Sequence, residues 1–273
     1  MSHPARRPRH ALFVLAHQDD ECIMSTRIAR ELEWGHRVTC AFLADGTGKG
    51  VPSATRDRES RAVLASLGVP PEHQLFIGSL ERIPDRELVL HLDRAWRALV
   101  RVADAEPITR IYTLAYEGGH PDHDAAHVLA VLLARRQGLL RRAWQVPFYH
   151  GWGTPGRLFR VHQALPTATR HLVRRVPFLQ AARHVTICWR YPSQWRTWVG
   201  LFPEYCLQRG LRRREVLAAI DPPRVRQRPH PGPVLYERMR GLPYETFAAA
   251  VNEFLKSQAI EPGSLGDHGV PDH

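Results

Sequence analysis

The sequence predicts an α/β fold with a mostly parallel sheet, helices on both faces and a C-terminal elaboration. Short apolar runs alternate with helical patterns through the first half of the chain, which is typical of βαβ units. Two clusters of histidine and aspartate directly follow two of these runs. Ligands bind beyond the carboxyl ends of strands in such sheets, so the clusters mark the expected site.

Five short apolar runs, each bounded by polar joints, predict the strands of this sheet. They occupy residues 11–16, 37–43, 74–77, 110–115 and 145–149. Crossover connections between parallel strands are right-handed almost without exception. The carboxyl ends of the first and fourth strands are therefore expected on the same edge of the sheet.

The intervening helices are predicted from apolar residues that recur every three or four positions. One such face consists of Met24, Ile28 and Leu32 and is closed by Gly35. Another consists of Leu88, Leu92, Ala95, Leu99 and Val102. A third helix is expected to begin near Asp124 and to run through Leu133.

The second half of the chain lacks this regular alternation. Proline, arginine and tryptophan become frequent after Gly151. An aromatic-rich helix is predicted over residues 191–211 and a terminal helix over residues 244–254.

The chain of 273 residues, 44% of them hydrophobic, is long enough to bury a sizeable core. We expect a single catalytic domain over residues 8–257. Within it, an α/β core at 8–151 carries the site, and an elaboration at 152–257 shapes the substrate pocket. Residues 258–273, which are rich in glycine, proline and aspartate, are expected to form a loose tail.

The formal net charge of +11 favours acidic partners, such as phosphorylated sugars, anionic lipid surfaces or nucleic acid. The four cysteines lack CxxC spacing, which is typical of reduced thiols in a cytoplasmic protein. No apolar run approaches the roughly 20 residues that a membrane-spanning helix needs. The run at 11–16 is also too short for a secretory signal, so we expect a cytoplasmic protein.

The two clusters contain a plausible set of metal ligands. His17 and Asp20 lie three residues apart on a strand-to-helix turn, and His123 lies at the start of the later helix. Two histidines and one carboxylate suffice for a catalytic divalent cation, with positions left open for water. Zinc fits this set best, although the same ligands also suit ferrous iron.

The neighbouring residues are candidates for proton transfer. Asp19 precedes a predicted ligand, so its side chain is directed elsewhere and is placed to take a proton from metal-bound water. His120 is placed to donate a proton or to stabilise an oxyanion. Asp122 or Asp124 is available to orient an imidazole from behind, whereas Glu21 is expected only to support the start of the helix.

Each cluster also has a structural interpretation. Asp19 and Asp20 are suitable for capping a helix N-terminus, which is worth about 1 kcal/mol. His120–His123 is equally suitable as a turn before a helix, capped by an aspartate. The presence of both clusters, each at a strand end, favours the metal site over these interpretations.

At these residues the sequence resembles the PIG-L/LmbE family of metal-dependent de-N-acetylases. That family carries an Ala-His-Pro-Asp-Asp-Glu motif and a later His-Pro-Asp-His motif, which correspond here to residues 16–21 and 120–123. The one departure is Gln18, which stands where proline is usual. The resemblance covers roughly residues 10–150 and implies a Rossmann-like fold with a mostly parallel sheet, which agrees with the alternation of strand and helix patterns.

The resemblance also implies roles for individual residues. It makes His17, Asp20 and His123 zinc ligands and Asp19 the general base. His120 becomes the protonated group that assists carbonyl polarisation and amine departure.

A weaker match lies between the second and third predicted strands. Arg56 to Glu59, ahead of Leu67-Gly68-Val69, is similar to a family pattern in which an arginine faces the substrate. Arg56 is the preferred candidate for substrate binding and Arg58 the other one. The alternative is an ordinary solvated helix face. Tyr149, His150 and the 226–237 loop with His230 are further candidates for the pocket wall.

The function expected from the resemblance is zinc-dependent hydrolysis of an N-acetyl group on an amino sugar, such as N-acetylglucosamine, or on a glycoconjugate. The alternative is a basic protein of the same fold that binds nucleic acid or membrane and has a non-catalytic metal site. Its surface would combine arginines and apolar residues between positions 157 and 175, although a solvated face is the simpler interpretation. A combined hypothesis is a de-N-acetylase that acts on a lipid-linked sugar at the inner, anionic membrane face.

Overall fold

The computed structural model describes residues 9–167 and 171–259. Its nine strands are β1 His10–Leu15, β2 Arg37–Phe42, β3 Gln74–Phe76, β4 Arg110–Leu114, β5 Ala143–Val146, β6 Tyr149–His150, β7 Arg160–Val161, β8 His171–Arg175 and β9 Arg214–Ala219. The α-helices in these ranges are α1 Glu21–Glu33, α2 Ser53–Leu67, α3 Ile77–Glu81, α4 Leu92–Ala105, α5 Pro121–Arg136, α6 Phe178–Thr186, α7 Trp195–Tyr205, α8 Leu235–Arg240 and α9 Tyr244–Ser257.

The predicted α/β fold is confirmed. Seven strands form one sheet in the order β3-β2-β1-β4-β5-β9-β8, and β6 pairs separately with β7. The first five strands of the sheet are parallel to one another, whereas β9 is antiparallel to its two neighbours, β5 and β8. The sheet therefore begins as a succession of βαβ units and is extended at one edge by the second half of the chain.

Both faces of the sheet are covered by helices, as the sequence predicts. Along β1, Leu12 and Val14 pack into a core that includes residues of α4, α5 and α9. Phe13 and Leu15 point to the opposite face and pack with residues of α1, α2 and α7. Every residue of β1 is buried, which explains the continuous apolar run that follows His10 in the sequence.

Two elements differ from their predicted form. The strand expected over 145–149 is divided into β5 and β6, because Pro147 lies between them and has no N–H for the ladder. The helical face that begins at Leu88 starts as a 3-10 turn, Leu88–His91, and becomes α-helical only at Leu92.

The two later helices lie close to their predicted positions. α7 occupies the middle of the segment predicted over 191–211 and continues into a π-helix, Cys206–Leu211. α9 begins at the predicted residue and extends slightly further. Of the expected tail, residues 260–273 lie outside the described residues. Across the described ranges, no helix has both the length and the apolar character that a membrane crossing requires.

Candidate metal and catalytic site

The two motifs meet at one edge of the sheet. β1 and β4 are adjacent and parallel, with Val14 opposite Thr113. His17 follows β1 by two residues, and α5, which carries His123, follows the loop after β4. The predicted convergence of the two carboxyl ends is thus present in the structure.

Polar atoms of His17, Asp20 and His123 converge in this cleft. The His123 Nε2 atom lies 3.2 Å from Asp20 Oδ1 and 3.3 Å from His17 Nδ1. Asp20 Oδ2 accepts hydrogen bonds from the backbone N–H groups of Ala16 and His17, at 2.9 and 2.7 Å. Asp20 Oδ1 is buried and has no hydrogen-bond partner among the described residues. A buried carboxylate oxygen without a donor, facing two imidazoles, suits a cation.

The electrostatic surroundings also favour positive charge at this point. Burial opposes protonation of His17, but the carboxylates of Asp122, Asp85 and Asp20 raise its pKa well above the usual range. Burial also disfavours the ionised form of Asp20, yet His123 and His17 outweigh it and lower the Asp20 pKa. Both shifts show that the carboxylates favour positive charge beside them.

His17 is oriented from behind by Asp122. The His17 Nε2 atom lies 3.0 Å from Asp122 Oδ2, and Nδ1 points towards Asp20 and His123. The backbone N–H groups of Arg86 and Leu88 donate to the Asp122 carboxylate at 2.6 and 3.2 Å, which fixes its position. A carboxylate behind a histidine is the usual support of a metal-binding imidazole.

The sequence did not reveal Asp85. Its Oδ1 atom lies 3.0 Å from His17 Nε2, and its side chain lines the cavity. Asp85 belongs to an irregular segment between α3 and α4, far from both motifs along the chain. No periodicity or motif marked it, so only the folded arrangement could identify it.

Asp19 has a strained backbone, with φ of 125°, a value that non-glycine residues rarely adopt. Its N–H donates to Glu21 Oε2 at 2.9 Å, and Arg56 Nη2 lies 3.3 Å from its Oδ1 atom. Arg56 also donates to the backbone oxygen of Gln18. Burial raises the Asp19 pKa to about 6, although Arg56 opposes this shift. Strain of this kind is concentrated at functional sites.

Glu21 links the first motif to the C-terminal elaboration. Its carboxylate accepts hydrogen bonds from the Tyr191 hydroxyl and from the Asp19 N–H. The Ser60 hydroxyl on α2 lies 3.0 Å from that of Tyr191. Burial raises the pKa of Glu21 to about 7 despite these hydrogen bonds. Glu21 thus supports the backbone of Asp19 in addition to the start of α1.

Gln18, the residue that departs from the family motif, is completely buried. It donates to Asp57 Oδ1 on α2 at 2.7 Å, so it attaches the loop after β1 to that helix. Its side chain lies against Gly46, where a Cβ atom would come within 2.4 Å of Gln18 Oε1. Gly46 also has a φ of 65°, so any other residue there would be strained.

His120 caps α5 and lies beside both candidate histidine ligands. Its Nδ1 atom accepts a hydrogen bond from the Asp122 N–H at 3.2 Å, so a neutral His120 carries its proton on Nε2. The ring centroid of His120 lies 4.7 Å from that of His17 and 5.1 Å from that of His123. His17, His120 and His123 can each offer a nitrogen within 4.8 Å of the other two. The helix begins at Pro121, three residues before the predicted start, because proline suits the first helical position.

The cavity has walls from both halves of the chain. Arg56 and Tyr149 line it from the first half, and Gln194, Thr197 and Leu201 line it from the second. Arg58, the other arginine considered, is exposed on α2. Neither His150 nor His230 is among the described residues that line this cavity.

Two buried carboxylates hold the loop between β4 and α5. Glu117 Oε1 accepts from the N–H groups of Phe148 and Tyr149 at 2.7 and 2.8 Å. Asp124 accepts from the N–H groups of Glu117 and Gly118. Asp124 therefore supports the backbone and does not orient His17. Burial raises the pKa of both carboxyl groups to about 8.

The raised pKa of Glu117 predicts a measurable pH dependence. Folded Glu117 keeps a proton that the unfolded chain loses near pH 4.5, so its stabilising contribution is complete below that pH and is lost as the pH rises towards 8. The Glu117→Gln variant has no carboxyl group at this position, so its free energy of unfolding lacks this pH-dependent loss. We expect the wild-type free energy of unfolding to decline relative to that of the variant by up to roughly 1 kcal/mol per pH unit across this window.

Urea denaturation of both proteins at several pH values measures this difference. Glu87→Gln, at an exposed carboxylate, is the control and should parallel the wild type. A constant difference between wild type and Glu117→Gln from pH 5 to 8 would contradict the prediction.

Comparisons with known proteins agree with this geometry. Residues 12–134 match the family model described as GlcNAc-PI de-N-acetylase, PIG-L. A search of curated proteins found no match.

Several solved structures share the fold. The zinc-inhibited form of teicoplanin deacetylase is 15% identical, covers 77% of this chain and 97% of its own, and has a TM-score of 0.56. The deacetylase of the A40926 pseudoaglycone is 16% identical, covers 78% of this chain and 97% of its own, and has a TM-score of 0.55. N,N'-diacetylchitobiose deacetylase from Pyrococcus horikoshii is 16% identical, covers 77% of this chain and 83% of its own, and has a TM-score of 0.53. At these identities the likeness concerns the fold. Residues 12–134 thus match the PIG-L family model, and the two motifs within that stretch meet at one sheet edge.

Proposed function

We propose that this protein is a metal-dependent hydrolase that removes an N-acetyl group from an amino sugar or glycoconjugate. The observation that carries the proposal is the convergence of His17, Asp20 and His123 around an unpartnered carboxylate oxygen, beside the strained Asp19. The family match over residues 12–134 supports it. The test is incubation of the metal-loaded protein with N-acetylated sugars, with free amine as the readout.

His17, Asp20 and His123 would hold the cation. When bound, a divalent cation lowers the pKa of a coordinated water and polarises a carbonyl group. Zinc and ferrous iron both suit two histidines and a carboxylate. The relative described as a zinc-inhibited form makes metal identity worth testing. We therefore propose activity assays of metal-stripped protein reloaded separately with zinc and with ferrous iron.

We assign Asp19 the role of the general base, which accepts a proton from the attacking water. Arg56 contacts Oδ1 of Asp19, and we assign the proton to Oδ2. A carboxylate with a pKa near 6 is ionised at neutral pH and is still basic enough to accept a proton. His120, whose Nδ1 accepts from the Asp122 N–H, presents Nε2–H to the developing oxyanion and the departing amine.

Arg56 is assigned to substrate binding, next to Asp19 on the cavity wall. Arg56→Gln is expected to raise KM and to lower kcat/KM by roughly 10- to 100-fold, because one charge-assisted hydrogen bond is lost. Arg58→Gln changes an exposed arginine two residues away on the same helix and should leave both constants unchanged. Steady-state kinetics of the two variants compare these effects, and equal constants for both would contradict the assignment.

The substrate we favour is lipid-linked, because α7 has one face in the cavity and an apolar, cationic face in solvent. Thr197 and Leu201 line the cavity. On the outer side Trp195 and Val199 are 53% and 52% exposed, and the guanidinium of Arg196 lies 5.3 Å from the Trp195 ring. Exposed tryptophan beside arginine is typical of a protein that binds an anionic membrane surface.

Trp195→Ser is expected to weaken binding to vesicles of anionic phospholipid by at least about tenfold, since burial of a large apolar side chain is worth about 2 kcal/mol. Leu90→Ser is the control, because Leu90 is 65% exposed and lies on the turn before α4, which packs on the opposite face of the sheet from α7. Co-sedimentation at low salt measures the effect. Wild-type protein that fails to sediment, or equal losses in both variants, would contradict membrane docking.

The other function that the basic charge admits is a non-catalytic protein that binds nucleic acid. Of the basic stretch considered for it, residues 171–175 form the exposed edge strand β8, whereas Arg170 lies outside the described residues. The family match is to a deacetylase, so we retain the enzymatic proposal.

A further inference from the structure

A second group of metal-capable side chains lies at the opposite edge of the sheet. His10 begins β1, His73 directly precedes β3, and Glu106 follows the end of α4. Each of the three can offer a ligand atom within 4.8 Å of the other two. Five residue steps of about 3.3 Å along β1, roughly 16 Å, separate His10 from Leu15 at the catalytic edge. The group is therefore distinct from the site that contains His17.

One hydroxyl orients both imidazoles of this group. The Thr39 Oγ1 atom on β2 lies 2.8 Å from His10 Nε2 and 3.0 Å from His73 Nδ1. A hydroxyl oxygen has two lone pairs and can accept from both rings. In that arrangement His10 Nδ1 and His73 Nε2 carry lone pairs. Metal-binding histidines commonly donate their other N–H to such an acceptor.

His10 also has a buried atom without a partner. Its side chain is 8% exposed, and its Nδ1 atom has no hydrogen-bond partner among the described residues. The nearest carboxylate oxygen, Glu106 Oε2, lies 3.4 Å away and already accepts from Arg37 at 2.7 Å. In the tautomer that donates to Thr39, the Nδ1 lone pair of His10 faces this carboxylate, which is unfavourable unless a cation lies between them. Arg37 engages only Oε2, which leaves Oε1 of Glu106 available.

The group opens into a cavity of about 610 Å³. The two arginines of its wall are already paired, Arg37 with Glu106 and Arg101 with Glu81 at 2.6 Å. The volume leaves room for water on the open side of an ion held by three side chains.

We propose that His10, His73 and Glu106 form a second metal site, which binds a borderline divalent cation such as Zn²⁺ and is separate from the catalytic centre. The bound ion joins the start of β1, the segment before β3 and the end of α4. These three segments are far apart in the chain, so the ion stabilises the fold. It takes no part in the reaction, because the substrate cavity lies at the other edge of the sheet.

The test is the number of Zn²⁺ ions that each protein retains after equilibrium dialysis, together with the melting temperature with and without Zn²⁺. Wild type should bind two ions per chain, and His73→Gln and Glu106→Gln should each bind one. Both residues are only partly buried, so these variants should fold. His123→Ala should also bind one ion, and Zn²⁺ should still raise its melting temperature.

His91→Gln is the matched control, because His91 is partly buried and pairs only with Glu87 among the described carboxylates. It should retain two ions and the wild-type melting temperature. Deacetylase turnover should be unchanged in His73→Gln. A single ion in wild type that is lost in His123→Ala, or two ions in both His73→Gln and Glu106→Gln, would overturn the proposal whether or not the protein is a deacetylase.

Discussion

Asp19→Asn is expected to lower kcat by about 10²- to 10⁴-fold while the metal content stays at the wild-type level. The amide keeps the shape of the side chain but cannot accept the proton of the attacking water. Asp20, the neighbouring carboxylate, still faces His123 and His17 and keeps its place in the metal site. Asp19→Ala should show a similar loss. Turnover assays and metal analysis on the same preparations measure both quantities.

The two readouts separate catalysis from folding. A variant that has lost both metal and turnover would indicate a damaged site, because the backbone of Asp19 is strained and is held by Glu21. Asp104→Asn, at an exposed carboxylate paired with Arg136, is the control and should be unchanged. Wild-type turnover in Asp19→Asn would show that Asp19 is not the general base.

His123→Ala is expected to remove the catalytic metal and to reduce turnover to background. His123 Nε2 lies 3.2 Å from Asp20 Oδ1, and without it only two ligands of the proposed set remain. The loss of one ligand typically makes a site of this kind too weak to survive dialysis. Metal analysis and turnover after dialysis test this expectation.

His127→Asn is the matched control for that experiment. His127 lies one turn further along α5, is equally buried, and bonds to the backbone oxygen of Leu114 at 2.8 Å. The substitution should reduce stability but should leave the metal in place. Metal content that is equal in His123→Ala and in wild type would contradict the ligand assignment.

The edge of the sheet that carries the site was predictable because its determinants are local. Each motif directly follows an apolar strand, and right-handed crossovers bring β1 and β4 together in parallel. His17 and His123 therefore had to meet, although 106 positions separate them in the sequence. The helices on both faces followed from the same alternation of strand and helix patterns.

The remaining parts of the site depend on contacts that no local pattern encodes. Tyr191 reaches Glu21 across 170 positions of the chain, and Asp85 reaches His17 from an irregular segment. The positive φ of Asp19, whose N–H donates to Glu21, is likewise marked by no local pattern. Tyr149 lines the cavity as expected, although its strand is separate from β5 because Pro147 interrupts the ladder.

The most direct measurement compares amine and acetate release from a panel of N-acetylated sugars and lipid-linked glycoconjugates, before and after metal removal. We predict equal amounts of amine and acetate from at least one member with metal-loaded wild type. Release should disappear after chelation, return on reloading, and be nearly absent in Asp19→Asn. Release that persists in metal-free protein and in Asp19→Asn, or no release from any member of the panel by metal-loaded protein, would contradict a metal-dependent de-N-acetylase.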